Sequence, residues 1–381
     1  MGVGRSHGGN KLLACTPADS SLRSNSNPRM TAPSTTPSTI GFGIVGVGMI
    51  ADFHAKAIGK IPGVRIVGVA DKIPERNRSF CERHGVGFST LNVDELVSRP
   101  DVHIVCVTTP SGAHLDPALA AIKAGKHVVV EKPLEITTER ADQILRAADA
   151  AGVMVAPIFQ ARFGEGARTV KAAIDAGRFG RLVLASAYVK WHRAASYYTG
   201  WKGTLALDGG GAVINQSVHA VDLLQWFAGL PAEVFAWKTR RVHTGIEGED
   251  TACAALKFAG GALGTIEAST ALWPGWSRRL ELCGEHGSVV LEDDRIARWE
   301  FREARPEDEK IRAANAADAL GSGASDPGAI NYEGHRRQLQ DLVDAVRGSH
   351  PLTLNGHEGR KAVALVRAIY ESAERGVSVK L

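Results

Sequence analysis

The sequence predicts an α/β protein with two domains: a doubly wound parallel sheet, then an α+β domain with a large, mostly antiparallel open sheet. Three observations support this fold class. Buried-type strands alternate with helical segments between residues 40 and 158, as in a parallel sheet with helices on both faces. Strand-like runs follow one another between residues 182 and 291, as in an antiparallel sheet. A length of 381 residues also favours two domains over one.

Residues 1–39 differ from the rest of the chain. They are rich in Ser, Thr, Pro, Asn and Gly and have almost no apolar periodicity, which predicts a disordered leader. Their basic, acid-poor composition weakly resembles a transit peptide, and Met30 is an alternative initiator. We therefore place the two domains at residues 40–158 and 159–381.

Composition excludes several classes of function. A net charge of +4 without a basic stripe gives no support for nucleic-acid binding. No apolar run is long enough to cross a membrane. Five widely spaced cysteines, without a CxxC or a Cys/His cluster, predict neither a disulfide framework nor a metal site. Reduced cysteines predict a cytoplasmic location.

The first domain opens with an apolar strand that runs into a glycine turn and then a helix. Gly46 allows the tight turn, Gly48 lets the backbone approach a diphosphate, and Ala51 lets the helix pack on the strand. Diphosphates bind at helix N-termini, where backbone N–H groups point outward. The predicted cofactor contacts in this segment are Gly46, Gly48, Met49 and Ile50.

A second strand, residues 64–70, ends at Asp71. An acidic residue twenty positions after the glycine turn is typical of a group that binds a ribose 2′-hydroxyl, so NAD is the predicted cofactor. The alternative is an aspartate that only shapes the turn. Lys72 and Arg76 could accept a 2′-phosphate, so NADP stays open.

Further strands at residues 101–107, 127–130 and 153–156 alternate with helices at 116–123, which Asp116 would cap, and 138–150. Ligands bind parallel sheets at the carboxyl ends of the strands. The residues predicted to contact the cofactor there are Thr108, Pro110, His114 and Glu131. Lys132 follows a buried strand in Glu131-Lys132-Pro133, and partial desolvation would lower its pKa towards a range useful for proton transfer. The alternative is an ordinary surface lysine.

The second domain has a helix at residues 167–176, strands at 182–191, 251–258, 264–270, 279–282 and 288–291, and helices at 335–346 and 360–374 that would pack on this domain. Residues 301–330 are predicted as a loop. One face of the sheet is free to form an oligomer interface.

An apolar helix is predicted from Ala212 to Ala228, after a run of three glycines. Asn215, His219 and Asp222 form a polar stripe along it, at helical spacing. In a buried helix such a stripe needs partners. We expect His219 in the active site; a core histidine is the alternative.

An aromatic stretch precedes this helix and is suited to binding a sugar, with Trp191 and Arg193 as candidate contacts. Ordinary core packing is the alternative. Arg193 could pair with an acidic group of a substrate or lie exposed.

From residue 40 onward the chain resembles the glucose–fructose oxidoreductase, inositol dehydrogenase and rhizopine-catabolism (Gfo/Idh/MocA) family. The resemblance rests on the turn at Gly46, on Glu131-Lys132-Pro133, and on the glycine run followed by His219 and Asp222. It implies a Rossmann domain, an NAD(P)-dependent dehydrogenase for a sugar, cyclitol or nucleotide sugar, and a homodimer or homotetramer. By resemblance, Lys132 and His219 are the acid/base pair.

One position departs from the pattern. Inositol dehydrogenase-like members have an aspartate four residues before the histidine, whereas this chain has Asn215. An amide cannot stabilise an imidazolium as a carboxylate does, so the departure favours Lys132 as the base, with Asn215 and His219 also contacting substrate. It disfavours inositol and keeps nucleotide-sugar acids open. A glycosidase that uses NAD transiently and a dinucleotide-sensing protein are the rival functions.

Overall fold

The first sheet is parallel throughout. The computed structural model describes residues 1–2, 39–314 and 331–381. The strands are β1 (Ile40–Val45), β2 (Val64–Ala70), β3 (Ser89–Thr90), β4 (Ile104–Val107), β5 (His127–Val130) and β6 (Val155–Pro157). Their order, β3-β2-β1-β4-β5-β6, confirms the predicted doubly wound sheet. Because the order reverses between β1 and β4, a ligand is expected beyond the carboxyl ends of these two strands.

The helices of this half are bounded by residues typical of caps. They are α1 (Met49–Ile58), α2 (Pro74–His84), α3 (Val93–Val97), α4 (Leu115–Lys123) and α5 (Thr138–Ala151). The Thr137 side chain caps α5, and Gly152 ends it in the left-handed conformation. Asp116 was predicted as the cap of α4, and this is wrong. A short 3₁₀ turn, Ser111–Ala113, leads almost directly into the helix, so Asp116 lies within its first turn.

The second sheet is mostly antiparallel, as predicted. Its strands are β7 (Leu182–Lys190), β8 (Pro231–Thr239), β9 (Thr251–Phe258), β10 (Leu263–Ser269), β11 (Arg279–Gly284), β12 (Gly287–Glu292), β13 (Arg295–Phe301) and β14 (Val379–Lys380). They lie in the order β13-β12-β11-β7-β10-β9-β8-β14, and only β7 and β10 are parallel neighbours. The sequence analysis did not identify β8 or β13.

Helices cover one face of the second sheet. The described helices of this half are α6 (Glu165–Asp175), α7 (Val218–Ala228), α8 (Pro306–Ala314), α9 (Glu333–Val346) and α10 (Gly356–Arg375). Side chains of α6, α7 and α10, such as Val170, Leu224 and Ile369, share one apolar core with Ile266 of β10. Among the described residues, no helix is both long and apolar enough to cross a membrane.

The packing of α9 differs from the prediction. Its apolar residues Leu339, Leu342 and Val343 lie in the same core as Phe42 of β1 and Ile58 of α1. The chain therefore returns to the first sheet after completing most of the second. An amphipathic pattern identifies the buried face of a helix but not the element that covers it. The domain boundary at residue 158 stays a prediction.

The predicted helix from Ala212 to Ala228 is not continuous. Residues Ala212–Gln216 form one π-helical turn, and α7 begins only at Val218. The buried Glu249 carboxylate accepts hydrogen bonds from the backbone N–H groups of Gly211 and Val213. Since these amides have a partner outside the helix, the first turn need not follow α-helical hydrogen bonding.

The predicted loop at residues 301–330 is wrong in its first part, because α8 occupies Pro306–Ala314. Asp308 at its start accepts hydrogen bonds from Arg178 and Trp299, which fix the helix against β13. Residues 315–330 and almost all of the predicted leader at 1–39 lie outside the described residues.

A buried ion pair joins α7 to the segment after β6. Both oxygens of Asp222 accept hydrogen bonds of 2.7 Å from Arg162, in a bidentate arrangement. Asp222 is fully buried and Arg162 nearly so. The third member of the polar stripe is therefore used for structure, and its partner differs from those of Asn215, which are Lys132 and Asp208.

We expect Arg162→Met to destabilise the protein by about 3–5 kcal/mol, because it leaves the Asp222 charge buried without a partner. Chemical denaturation measures this free energy of unfolding. Arg181→Met, which removes an exposed pair with Glu285, is the matched control and should change stability little. An equal effect of both substitutions would contradict the assigned role.

Candidate active site

The glycine turn after β1 has the geometry that a diphosphate needs. Gly46 has a φ of +89°, and a Cβ there would lie 2.9 Å from the backbone nitrogen of Thr109. A Cβ at Gly48 would meet no atom within 4 Å, so the space before α1 is open. No side chain caps the first turn of α1, which begins with Met49 and Ile50. Backbone N–H groups are thus directed at the space where a phosphate would bind.

Asp71 is fixed at the edge of this turn. One carboxylate oxygen accepts a hydrogen bond from the N–H of Val47, and the other from the N–H of Ile73, both at 2.9 Å. Asp71 is half-buried and lies directly after β2. The carboxylate is therefore held next to the glycine turn, where a ribose hydroxyl can reach it.

Two residues predicted to contact the cofactor also make contacts within the loops. The Thr108 hydroxyl lies 3.0 Å from the carbonyl oxygen of Val45 and 2.6 Å from that of Gly46, so it braces the glycine turn. His114 is buried, and its ring nitrogens lie 3.0 Å from the carbonyl oxygens of Thr109 and Pro133. Thr108 and His114 therefore hold the loops in place, and their contact with the cofactor stays a prediction. Pro110 stays half-buried at the start of the 3₁₀ turn.

Glu131, for which cofactor contact stays a prediction, is held by two histidines. Its oxygen Oε1 lies 2.7 Å from Nε2 of His54 and 3.5 Å from Nε2 of His335, and all three residues are buried. Its other oxygen accepts the backbone N–H of Lys132. Burial favours the protonated acid, but hydrogen bonds from His335 and His54 outweigh it, so the pKa of Glu131 lies well below its usual range. The ionised Glu131 carboxylate thus holds the backbone of Lys132 in place.

The amine of Lys132 extends from the first sheet to the π-helical turn. Its Nζ donates a hydrogen bond of 3.0 Å to the carbonyl oxygen of Asn215 and lies 3.4 Å from the side-chain oxygen of the same residue. Burial lowers the pKa of Lys132, while the negative charges of Glu131 and Asp208 oppose this shift. The structure therefore brings together Lys132 and Asn215, which are 83 residues apart.

His219 lies in the first turn of α7, close enough to Lys132 for their charges to interact. Burial lowers the pKa of His219 well below its usual value, and the charges of Lys132 and Arg278 lower it further. Its ring packs edge-on against Phe159, and its buried Nδ1 has no hydrogen-bond partner among the described residues. A neutral imidazole suits hydrogen bonding to a substrate hydroxyl, and Lys132 is the stronger base of the two.

The aromatic stretch contributes cations as well as rings. Arg193 is buried, contrary to the alternative of an exposed arginine, and its guanidinium lies 4.9 Å from the Trp191 ring centroid. Lys202 lies 3.7 Å from the centroid of Tyr197, and Arg193 lies 5.3 Å from the same ring. Two cations thus flank one tyrosine, an arrangement stabilised by cation–π attraction.

Sequence reasoning missed Asp208, Lys202, Arg278, His54 and His335. Asp208 directly precedes the glycine run, and its position there is the one local signal that pointed to this group. The side chains of the other four residues carry no local motif. Contacts that join distant parts of the chain, such as His335 with Glu131, bring them to the site.

Two family models match the chain. The NAD-binding Rossmann domain of the oxidoreductase family matches residues 40–159, and the GFO/IDH/MocA C-terminal domain matches residues 167–290. The chain belongs to the Gfo/Idh/MocA oxidoreductase family. Both the predicted family and the predicted NAD cofactor are confirmed.

Relatives of this Gfo/Idh/MocA protein act on sugars and cyclitols. The 1,5-anhydro-D-fructose reductase of Ensifer adhaerens is 32% identical over 224 residues, 58% of this chain and 67% of the relative. Myo-inositol 2-dehydrogenase of Thermotoga maritima is 26% identical over 351 residues, 89% of this chain and 98% of the relative. The structure of the WlbA dehydrogenase from Bordetella pertussis, in complex with NADH and UDP-GlcNAcA, has 33% identity and a TM-score of 0.83 over 91% of this chain and 99% of that chain.

We expect Asp71→Ser to weaken NAD binding about 10-fold, because the loss of a charged acceptor for the ribose hydroxyls costs roughly 1.5 kcal/mol. NADP binding should weaken less, since the substitution also removes repulsion of the 2′-phosphate. Titration calorimetry with both cofactors measures the two dissociation constants. Lys60→Ser, at an exposed position in the turn after α1, serves as a control. An equal loss for NAD and NADP would argue against ribose recognition by Asp71.

Proposed function

We propose that this Gfo/Idh/MocA protein oxidises a ring hydroxyl of a nucleotide sugar that carries a carboxylate, with NAD as the oxidant. The supporting observation is the charge of the site. Lys132 and Lys202 both interact with the carboxylate of Asp208, and the charge of Arg193 acts on both lysines. Glu131 is the other anion that acts on Lys132, so three cations face two carboxylates there. Burial raises the pKa of Asp208 to about 6, which further limits its negative charge in mildly acidic solution. An anionic substrate would balance this excess.

The residues of the site fit the chemistry of alcohol oxidation. When bound, NAD supplies the hydride acceptor. Lys132, whose pKa is lowered by burial, takes the hydroxyl proton as the C–H bond breaks. His219, held neutral, donates or accepts a hydrogen bond at the same hydroxyl. Glu131 holds the backbone of Lys132, so that its amine is positioned before the substrate arrives.

Similarity to the WlbA dehydrogenase supports the choice of substrate class. That protein was solved with UDP-GlcNAcA, a nucleotide sugar with a carboxylate, and it aligns with nearly its whole length to this chain. Asn215 agrees with this choice, because an aspartate at this position is the pattern of inositol dehydrogenase-like members. Arg193 and Lys202 are the residues that we propose to face the substrate carboxylate.

A substrate comparison tests the proposal directly. We expect NADH to form with UDP-GlcNAcA and not with UDP-GlcNAc, which lacks the carboxylate. Lys132→Ala should lower turnover about 10²–10⁴-fold while NAD still binds, because a general base is lost. Product formation without NADH accumulation would favour the NAD-dependent glycosidase. NADH formation with neutral sugars alone would contradict the proposed substrate class.

We expect Lys202→Met to raise KM for UDP-GlcNAcA about 10-fold, because a charge-assisted contact worth roughly 1.5 kcal/mol is lost. Methionine retains most of the apolar stem that packs on Tyr197. Lys60→Met, at an exposed position on the first-sheet side, is the matched control and should leave KM unchanged. A KM equal to that of the wild type would remove Lys202 from substrate recognition.

We propose that the uncovered face of the second sheet mediates self-association. Exposed apolar side chains of three strands point away from the helices: Leu184 of β7, Trp237 of β8 and Leu263 of β10 are 49%, 65% and 54% exposed. Exposed apolar side chains of this size on one face of a sheet are typical of a subunit interface. Trp237→Glu should lower the mass measured by light scattering to that of a smaller assembly, whereas Leu91→Glu, on an exposed position of the other half, should not. A monomeric wild type would contradict the proposal.

A cytoplasmic location is part of the same proposal. It is supported by NAD as cofactor and by four cysteines that form no disulfide bond within the described part of the chain: Cys81, Cys106, Cys253 and Cys283.

A further inference from the structure

Asp208 is a buried carboxylate that the mechanism above does not use. It is 1% exposed and directly precedes the glycine run. One oxygen accepts a hydrogen bond of 2.7 Å from the N–H of Gly203, and the other accepts one of 2.5 Å from the side-chain amide of Asn215. A buried carboxylate is costly to retain, so both hydrogen bonds are needed to keep it in place.

Asn215 connects this carboxylate to the amine of Lys132. Since its amide nitrogen donates to Asp208, its side-chain oxygen is turned towards Lys132, 3.4 Å from Nζ, and its backbone carbonyl oxygen is 3.0 Å from the same atom. A negative charge on one side of an amide polarises it, so that its oxygen becomes a better acceptor on the other side.

We propose that Asp208 is a positioning residue: acting through the Asn215 amide, it aligns the Lys132 amine and stabilises the ammonium that forms when this amine accepts the substrate proton. This inference rests on the proposed role of Lys132 as the base. Asp208 itself touches neither the substrate carbon nor the cofactor in this scheme. Its effect is on how strongly Lys132 holds a proton.

The other charges around Lys132 act in both directions. Burial is the largest influence and lowers the pKa of Lys132. Glu131, from the same loop, and Asp208, from the segment before the π-helical turn, raise it, whereas Arg193 from the aromatic stretch lowers it. Two further groups face the amine: Lys202, which the charge of Lys132 repels, and the neutral His219 of α7. Glu131 is tied to its two histidines, so Asp208 is the carboxylate whose hydrogen bonds lead to the amine itself.

These contacts determine the direction in which the charge of Asp208 shifts the pKa of Lys132. Above about pH 6 Asp208 is ionised and favours the ammonium form of Lys132. Removing that charge should make Lys132 lose its proton more readily, so the pKa of its amine should fall, by about one unit or more for a nearby opposite charge. The free amine would also be a weaker base during proton transfer.

Asp208→Asn tests this with a readout that needs neither NAD nor substrate. The pKa of Lys132 is measured on the full chain by labelling with an amine-reactive acylating reagent at a series of pH values above 6, followed by peptide mass spectrometry. We expect the midpoint for Lys132 to move to lower pH by about one unit. With substrate, the rise of kcat/KM with pH should move the same way and reach a lower plateau. An unchanged midpoint in the folded variant would overturn the proposal.

A matched control separates charge from structure. Glu249 is another buried carboxylate beside the π-helical turn, but it binds Gly211, Val213 and Tyr370. Glu249→Gln should therefore lower stability without moving the midpoint of Lys132. A shift as large as that of Asp208→Asn would mean that loosening the turn is sufficient, and would also overturn the proposal.

Rescue provides the second test. Adding Asn215→Asp to Asp208→Asn places a carboxylate directly beside Lys132 Nζ, so the midpoint should return towards the wild-type value. If Asp208→Asn does not fold, Asn215→Ala breaks the same connection and should also lower the midpoint of Lys132; no shift there would overturn the proposal. These labelling results stand even if UDP-GlcNAcA proves not to be the substrate, because they are measured without it.

Discussion

The hydrogen bond between the Lys132 amine and the carbonyl oxygen of Asn215 is the contact on which the site depends. It joins the loop after the first sheet to the turn that precedes α7 in the second half. A half-buried amine keeps its orientation only if both ends of its side chain are fixed. The Glu131 carboxylate, itself bound by two histidines, fixes the backbone end, and Asn215 receives the amine. Glu131, after the first sheet, and Asn215, in the second half, therefore fix the two ends of the same lysine side chain.

The charge of the site is the physical basis for proposing an anionic sugar as substrate. Burial makes an excess of positive charge costly, and the two lysines of the site share the carboxylate of Asp208, whose own pKa is raised to about 6. Arg193 and Lys202 are partly compensated by the face of Tyr197, which attracts cations without neutralising them. A substrate carboxylate would complete this balance, so binding energy and substrate selection arise from the same excess of positive charge.

The fold could be predicted from local sequence patterns, whereas contacts between residues far apart in the chain could not. The glycine turn, the cap at Thr137 and the alternation of β9 are set by neighbouring residues, and each agrees with its sequence pattern. The pairing of Asp222 with Arg162 and the packing of α9 on the first sheet join residues far apart in the chain. A polar residue in a buried helix needs a hydrogen-bond or ion-pair partner, but the sequence does not show which residue that partner is. The same limit applied to Asp208, which was visible beside the glycines but not recognised as a partner of Asn215.

The irregular start of α7 is what makes Asn215 available to Lys132. In a continuous α-helix the carbonyl oxygen of Asn215 would accept the N–H four residues later, and the amine would compete with the helix for it. Instead, the π-helical turn ends at Gln216 and α7 begins at Val218, so Asn215 lies at the end of one segment, where carbonyl groups lack helical partners. Glu249 and Tyr370 stabilise this departure by accepting backbone N–H groups at the start of the turn. The Glu249 carboxylate holds the backbone at the start of the turn, whereas the Asp208 carboxylate binds the side chain of Asn215, so only Asp208 is connected to the Lys132 amine by hydrogen bonds.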